Sequence, residues 1–207
     1  MEKDKITRKK REHIYHRTEI LQTALKLFSE SGFHNVTMNE IAKGSEFAVG
    51  TLYKFFKNKE DLYRALIVEK AEEFHSASMD AIKIRGDETV KIRACIEAKI
   101  QAFVDNLDFI RLYFAETRGA SFNIKAGLDA ELKKSYSEYL NKLSAVFKTG
   151  IRKKKFREFD PYLLAVAIDG MTNALLMEYL DHQKKHTFDA EFIMDIFFSR
   201  IHLESTQ

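Results

Sequence analysis

Three groups of residues have the types and spacing for chemistry. Between positions 37 and 59, Thr37, Thr51, Tyr53, Lys54 and Lys59 supply hydroxyl and ammonium donors, with Met38, Val49 and Gly50 among them. Such donors hold phosphate oxygens, a small apolar residue meets a thymine methyl, and a glycine lets backbone come close to a nucleic acid. The second group is apolar. Phe103, Tyr113, Phe114, Phe122, Tyr139, Met171 and Met177 offer the rings and adaptable thioethers that line a small-molecule cavity, and Arg118 is a cation able to fix an anionic end. The third group, His182 and His186 beside Asp181, has metal-ligand spacing, but a polar helix end explains it without a metal. No phosphate-cradling glycine loop, H-E-x-x-H, nucleophile-elbow serine or thiol pair is present. Neither an enzyme nor a bound metal or cofactor is expected.

The charge is placed to suit the first group. Residues 1–60 carry 12 Lys or Arg against 8 Asp or Glu, whereas residues 61–207 hold 22 against 23. Lys3, Lys5, Arg8, Lys9, Lys10, Arg11 and Arg17 therefore form a basic arm, a footprint for phosphates or a solvated tail. The single cysteine, Cys95, rules out an intrachain disulfide, and the charged first ten residues do not read as a secretory leader. Charged residues interrupt each apolar run, so no membrane span is expected and the cytoplasm is the expected location.

One proline in 207 residues leaves helical patterns uninterrupted, and the fold class expected is all-α. From Ile14, apolar positions at Ile14, Thr18, Leu21, Ala24, Leu25 and Phe28 predict a first helix that Gly32 ends. Thr37 and Glu40 form a capping box for a short second helix, and Gly50–Phe56 forms a third. Asn58, with Glu60 and Asp61 after it, caps a fourth helix reaching about Arg85. Further helices are predicted from Asp87 to about Asn106, over 108–118, over 129–152, from Asp160-Pro161 to about His182, and over 189–203. Two short helices joined by a tight turn and braced by a longer one make a helix-turn-helix, with Leu52 and Phe56 facing inward.

The segments Thr37-Met38-Asn39-Glu40-Ile41-Ala42 and Val49-Gly50-Thr51-Leu52-Tyr53-Lys54-Phe55-Phe56-Lys57-Asn58-Lys59-Glu60-Asp61-Leu62 resemble the DNA-binding signature of the TetR family. The resemblance covers about residues 14–62. It implies an N-terminal three-helix helix-turn-helix DNA-binding domain over 1–60, and a C-terminal helical ligand-binding and dimerisation domain over 61–207. Family members usually carry glycine in the turn and a small hydroxyl residue as the cap of the recognition helix, where this chain has Glu46 and Ala48. Glu46 must then take up the turn conformation at a cost, or Gly44 serves the turn differently, and Ala48 forgoes a cap worth about 1 kcal/mol.

Less specifically, Thr149–Arg157 and the Ala/Gly-rich helix after Pro161 also resemble the family. Ala167, Gly170 and Ala174, with Ile193, Phe197 and Ile201 on the last helix, are candidates for a homodimer interface, although both helices would also fit inside one core. The run Arg152-Lys153-Lys154-Lys155-Phe156-Arg157 is a basic cluster that could meet nucleic acid or lie on a wet surface. The expected partners are double-stranded operator DNA, a second copy and a small apolar or amphipathic inducer, the function being that of a repressor released from a palindromic operator. A DNA-binding architectural factor without an inducer is the alternative.

Overall fold

Side-chain caps set most helix starts in this protein. The computed structural model describes residues 7–117, 122–182, 188–199 and 201, with side chains for all of these but 114–117, 122–129, 131 and 132. Among the described residues the regular elements are α1 (Arg8–Ser31), α2 (Met38–Gly44), α3 (Val49–Phe55), α4 (Lys59–Ala81), α5 (Glu88–Asp105), α6 (Leu107–Thr117), α7 (Phe122–Arg152), α8 (Pro161–Asp181) and α9 (Ala190–Phe198). Thr37 caps α2, Asp87 caps α5, Asp160 caps α8 and Asp189 caps α9, each accepting from backbone N–H groups of the first turn. Asn58 does the same for α4 through the Asp61 N–H at 2.7 Å. Gly32, at φ 79°, ends α1, and its N–H returns to the Phe28 carbonyl. The chain divides into two compact units, Met1–Glu69 with Asp108–Leu128 and Lys70–Leu107 with Asp129–Gln207, so α4 runs from the first into the second.

In the first unit, Ile20, Leu21, Ala24 and Phe28 form the inner face of α1. The expectation that this face begins at Ile14 and Thr18 is corrected, since both are exposed. Six further residues precede Ile14 in α1, so Arg8, Lys9, Lys10 and Arg11 ride on its exposed first turns rather than on an extended arm. Lys3 and Lys5 lie outside the described residues. Phe28, Phe33 and Tyr63 meet ring to ring, with centroids 4.9 to 6.1 Å apart, and join α1, the turn after it and α4.

The second unit packs α5, α7, α8 and α9 around Ile92, Leu143, Phe147, Phe156, Ile168 and Ile193. By length and mean hydropathy, 1.3 over its most apolar stretch, α8 would suffice to cross a membrane, contrary to the sequence expectation. Asp169 near its middle is buried and ion-paired to Lys99 of α5, which makes α8 a helix of this bundle. Its outward face is nonetheless apolar. Leu163 is 64% exposed and Val166 37%, Ala167, Gly170 and Ala174 are exposed on the same face, and α9 adds Phe192 and Ile196 at 47% and 50%.

Three of the residues expected at a dimer interface face elsewhere. Ile193 is fully buried, Ile201 is 7% exposed, and Phe197 is half-buried against the Phe147 and Phe198 rings. Positions 193, 194, 198 and 201 follow the inner face of a short helix and its end, leaving 192 and 196 to face out.

Candidate nucleic-acid interface

The helix-turn-helix is built from α2, its turn and α3. Thr37 and Glu40 complete the capping box in both directions: the Thr37 hydroxyl accepts from the Glu40 N–H at 3.2 Å, and the Glu40 carboxylate accepts from the Thr37 N–H at 2.7 Å. Hydrogen bonds from the Thr37 side chain and backbone hold the Glu40 carboxyl below its ordinary pKa of 4.5. Gly44 ends α2 against α1, where a Cβ would sit 2.9 Å from Thr23 Cγ2. The turn is closed by the Phe47 N–H donating to the Ala42 carbonyl at 3.0 Å. Glu46 sits at φ 59°, the left-handed region glycine occupies without cost. Ala48 occupies the cap position of α3 without a side-chain hydrogen bond, so both departures from the family pattern carry their expected local penalties.

Helical phase divides α3 into two faces. Leu52 and Phe56 are buried, whereas Val49, Gly50, Tyr53 and Lys54 are exposed and Thr51 is half-buried. A Cβ on Gly50 would meet nothing within 4 Å, so packing inside the chain does not require glycine there. Two histidines of α1 brace this element: His13 lies 4.5 Å from the Phe55 ring and His16 4.8 Å from the Phe47 ring. Arg17 adds an ion pair to Glu69 of α4 and sits 5.5 Å from the centroid of the Phe56 ring.

Three expected DNA contacts have other work in this fold. Met38 is 8% exposed and belongs to the core. The Thr37 hydroxyl is engaged with Glu40. Lys59 donates to the carbonyls of Phe33, His34 and Val36 at 2.7, 3.3 and 2.8 Å and lies over the Phe33 ring at 4.5 Å, which uses all three ammonium protons inside the unit. The role expected for Lys59 on phosphate is corrected to one of holding the α1–α2 turn. Its acceptors lie 23 to 26 residues upstream, a distance that local sequence patterns do not span.

Of the expected ligand-lining residues, Phe103 and Tyr139 are buried, Tyr113 is half-buried and stacked on Phe109, and Met171 and Met177 are half-buried. Arg118 and the side chains of Phe114 and Phe122 lie outside what the structure describes. Beside Tyr139 the sequence reading missed a polar cluster. The Asp169 carboxylate pairs with Lys99 and accepts from Tyr136 Oη at 2.7 Å and Asn173 Nδ2 at 2.9 Å. Tyr139 Oη and Cys95 Sγ are 3.5 Å apart, and burial pushes the Cys95 thiol up to about 11, far from the reactive thiolate. His75 of α4 shares a hydrogen bond with Ser135 and stacks on Tyr139. Burial, then Lys99, lowers the His75 pKa below 6.5, with Asp169 opposing. An acid amid the small residues of α8 was the available signal. His182, in turn, pairs with Glu178 at 3.0 Å, while His186 lies outside the described residues.

Residues 20–66 match the family described as bacterial regulatory proteins, tetR family. This segment, which holds the inner face of α1, α2, α3 and the start of α4, is thus similar to the DNA-binding part of TetR-type regulators. Over 187 residues, 89% of this chain and 94% of the relative, the chain is 25% identical to the fatty acid metabolism regulator protein of Bacillus subtilis. A shorter stretch of 56 residues, 27% of this chain and 29% of that relative, is 45% identical to the Escherichia coli regulator UidR. The fold is shared with the regulator FadR from Bacillus subtilis, solved in complex with stearoyl-CoA: TM-score 0.72, 24% identity, covering 89% of this chain and 99% of that one. FadR from Bacillus halodurans gives a TM-score of 0.71 at 22% identity, covering 89% and 93%. The match over residues 20–66 and the similarity over most of the chain are both to DNA-binding transcriptional regulators.

Proposed function

We propose that this regulator is a cytoplasmic homodimeric repressor that reads a palindromic operator with α3 and leaves it when an amphipathic molecule of the long-chain acyl-CoA type binds residues 61–207. The observation that carries the DNA-reading half is the outward face of α3, where Val49, Gly50, Tyr53 and Lys54 stand clear of a buried Leu52. Gly50, unconstrained by its own chain, allows backbone to approach a groove. Val49 meets a thymine methyl, Thr51 donates to or accepts from a base edge, and Tyr53 and Lys54 hold phosphates. Residues 1–60 are the reading module in this scheme, and α4, which enters both units, is the continuous element through which a ligand shifts the population of DNA-competent dimers.

The ligand class is supported by the relative of similar length that regulates fatty acid metabolism and by the neighbour solved with stearoyl-CoA. Phe103, Tyr139, Met171 and Met177, all in the second unit, remain proposed lining residues. The test uses operator DNA selected from random duplexes, titrated with stearoyl-CoA and with free coenzyme A, alongside thermal shift. Release and a raised Tm with the acyl form alone are expected. Operator binding insensitive to acyl-CoA, with no shift, would remove the ligand from the scheme and leave the DNA-binding half intact.

A further inference from the structure

The basic run after α7 splits into two sets of cations. Lys153 donates to the buried Glu88 at 2.6 Å, and Lys155 pairs with Asp87 and Glu88 at 3.1 and 3.3 Å, so these two fasten the α7–α8 connection to the start of α5. Arg152, Lys154 and Arg157 are exposed, have no acid partner among the described residues, and line one groove of about 570 Å³ with Ile151, Phe156 and Glu158. Lys154 stands at φ 57°, in the left-handed region.

The groove is held from behind. Phe156 is 1% exposed and plugs the core against Gly150, where a Cβ would lie 2.2 Å from its ring. The Arg157 N–H donates to the Ile201 carbonyl at 2.8 Å, fixing the far side. Three cations against one carboxylate leave a local net charge near +2 in a unit whose 18 Lys and Arg are matched by 19 Asp and Glu, and two guanidinium forks suit tetrahedral, multi-oxygen anions. The volume is that of a small-molecule site, and a single depression does not present the row of cations that tracks a nucleic-acid backbone.

We propose that this groove is a binding site for a small molecule bearing a pyrophosphate or paired phosphates, held by Arg152, Lys154 and Arg157. The probe is inorganic pyrophosphate, titrated calorimetrically into the full chain at low salt, with sulfate at equal ionic strength as the comparison. One pyrophosphate per chain in the groove, bound tighter than sulfate, is expected. The R152Q/K154Q/R157Q variant should lose about tenfold or more in pyrophosphate affinity while keeping its operator affinity. Lys154→Gly, which removes the cation but suits the positive φ, should weaken binding with no loss of Tm. A K9Q/K10Q/K54Q variant, weakened for DNA, should bind pyrophosphate as the parent does. Pyrophosphate binding no tighter than sulfate, binding unchanged in the groove variant, or a groove variant that flattens the salt dependence of operator binding would each overturn the assignment.

Discussion

Lys54 and Lys59 look alike in the sequence, two lysines in a basic N-terminal stretch, and the fold gives them different physics. Lys54 is exposed on α3, and Lys59 closes a set of carbonyls. Lys54→Ala should weaken binding to all duplexes alike and reduce the slope of log K against log salt by about one unit. Lys59→Ala should leave that slope unchanged and instead strand the Phe33 and Val36 carbonyls, lowering the stability of the first unit by about 1 to 3 kcal/mol. Urea unfolding and salt-titrated operator binding on both variants check the pair, and a flattened slope for Lys59→Ala would return it to the phosphate contacts. The difference was illegible from sequence because a charge run reports how many cations exist, not which carbonyls wait across the fold. By contrast, Glu46 and Ala48 were legible, since the penalties of a left-handed turn residue and an absent cap are local.

Helix boundaries were legible wherever a side chain satisfies a helix start, as at Thr37, Asn58, Asp87 and Asp160, and less so where the boundary depends on tertiary packing. Thus α4 stops at Ala81 rather than Arg85, and α7 begins at Phe122 rather than near residue 129. Contacts between helices were not legible, and the Lys99–Asp169 pair is the main case. Asp169 has no exposed side-chain surface, whereas Lys99 keeps 18% and can reach water when its partner is removed. Lys99→Met should therefore be the more damaging change, about 3 kcal/mol in urea unfolding, because it leaves a buried carboxylate held only by Tyr136 and Asn173. The double change Lys99→Met with Asp169→Leu should recover most of the loss, and equal costs for both single variants would refute the asymmetry. His75, in the same cluster, gives a pH signature. Its folded pKa is lowered below 6.5, so below that value the unfolded chain binds a proton that the native state takes up less readily. Stability should fall as pH drops from 6.5 through the folded value, and His75→Gln should flatten that part of the profile. A profile unchanged by the substitution would remove His75 as its source.

At the scale of the whole molecule, the proposed homodimer rests on the outward face of α8 and α9. Leu163, Val166, Ala167, Gly170 and Ala174 recur at three- and four-residue steps along α8, with Phe192 and Ile196 four apart on α9. An apolar stripe of this regularity on a bundle surface costs free energy in water unless a partner covers it, and the small residues allow two helices to approach closely. A second copy offers the same stripe, so a two-fold arrangement covers both at once and presents two α3 helices to a two-fold operator. Sedimentation should accordingly give about twice the 24.1 kDa chain mass. Val166→Glu and Ile196→Glu should each shift the chain to monomer, with helicity and Tm of the isolated chain largely kept and operator affinity lost, because both positions face out. Ile193→Glu should behave differently and unfold the bundle, since that side chain has no exposed surface. A Val166→Glu chain that remains dimeric and binds the full operator as tightly as the parent would move the interface off this face. An Ile193→Glu chain that dissociates while staying folded would place the inner face of α9 at the interface.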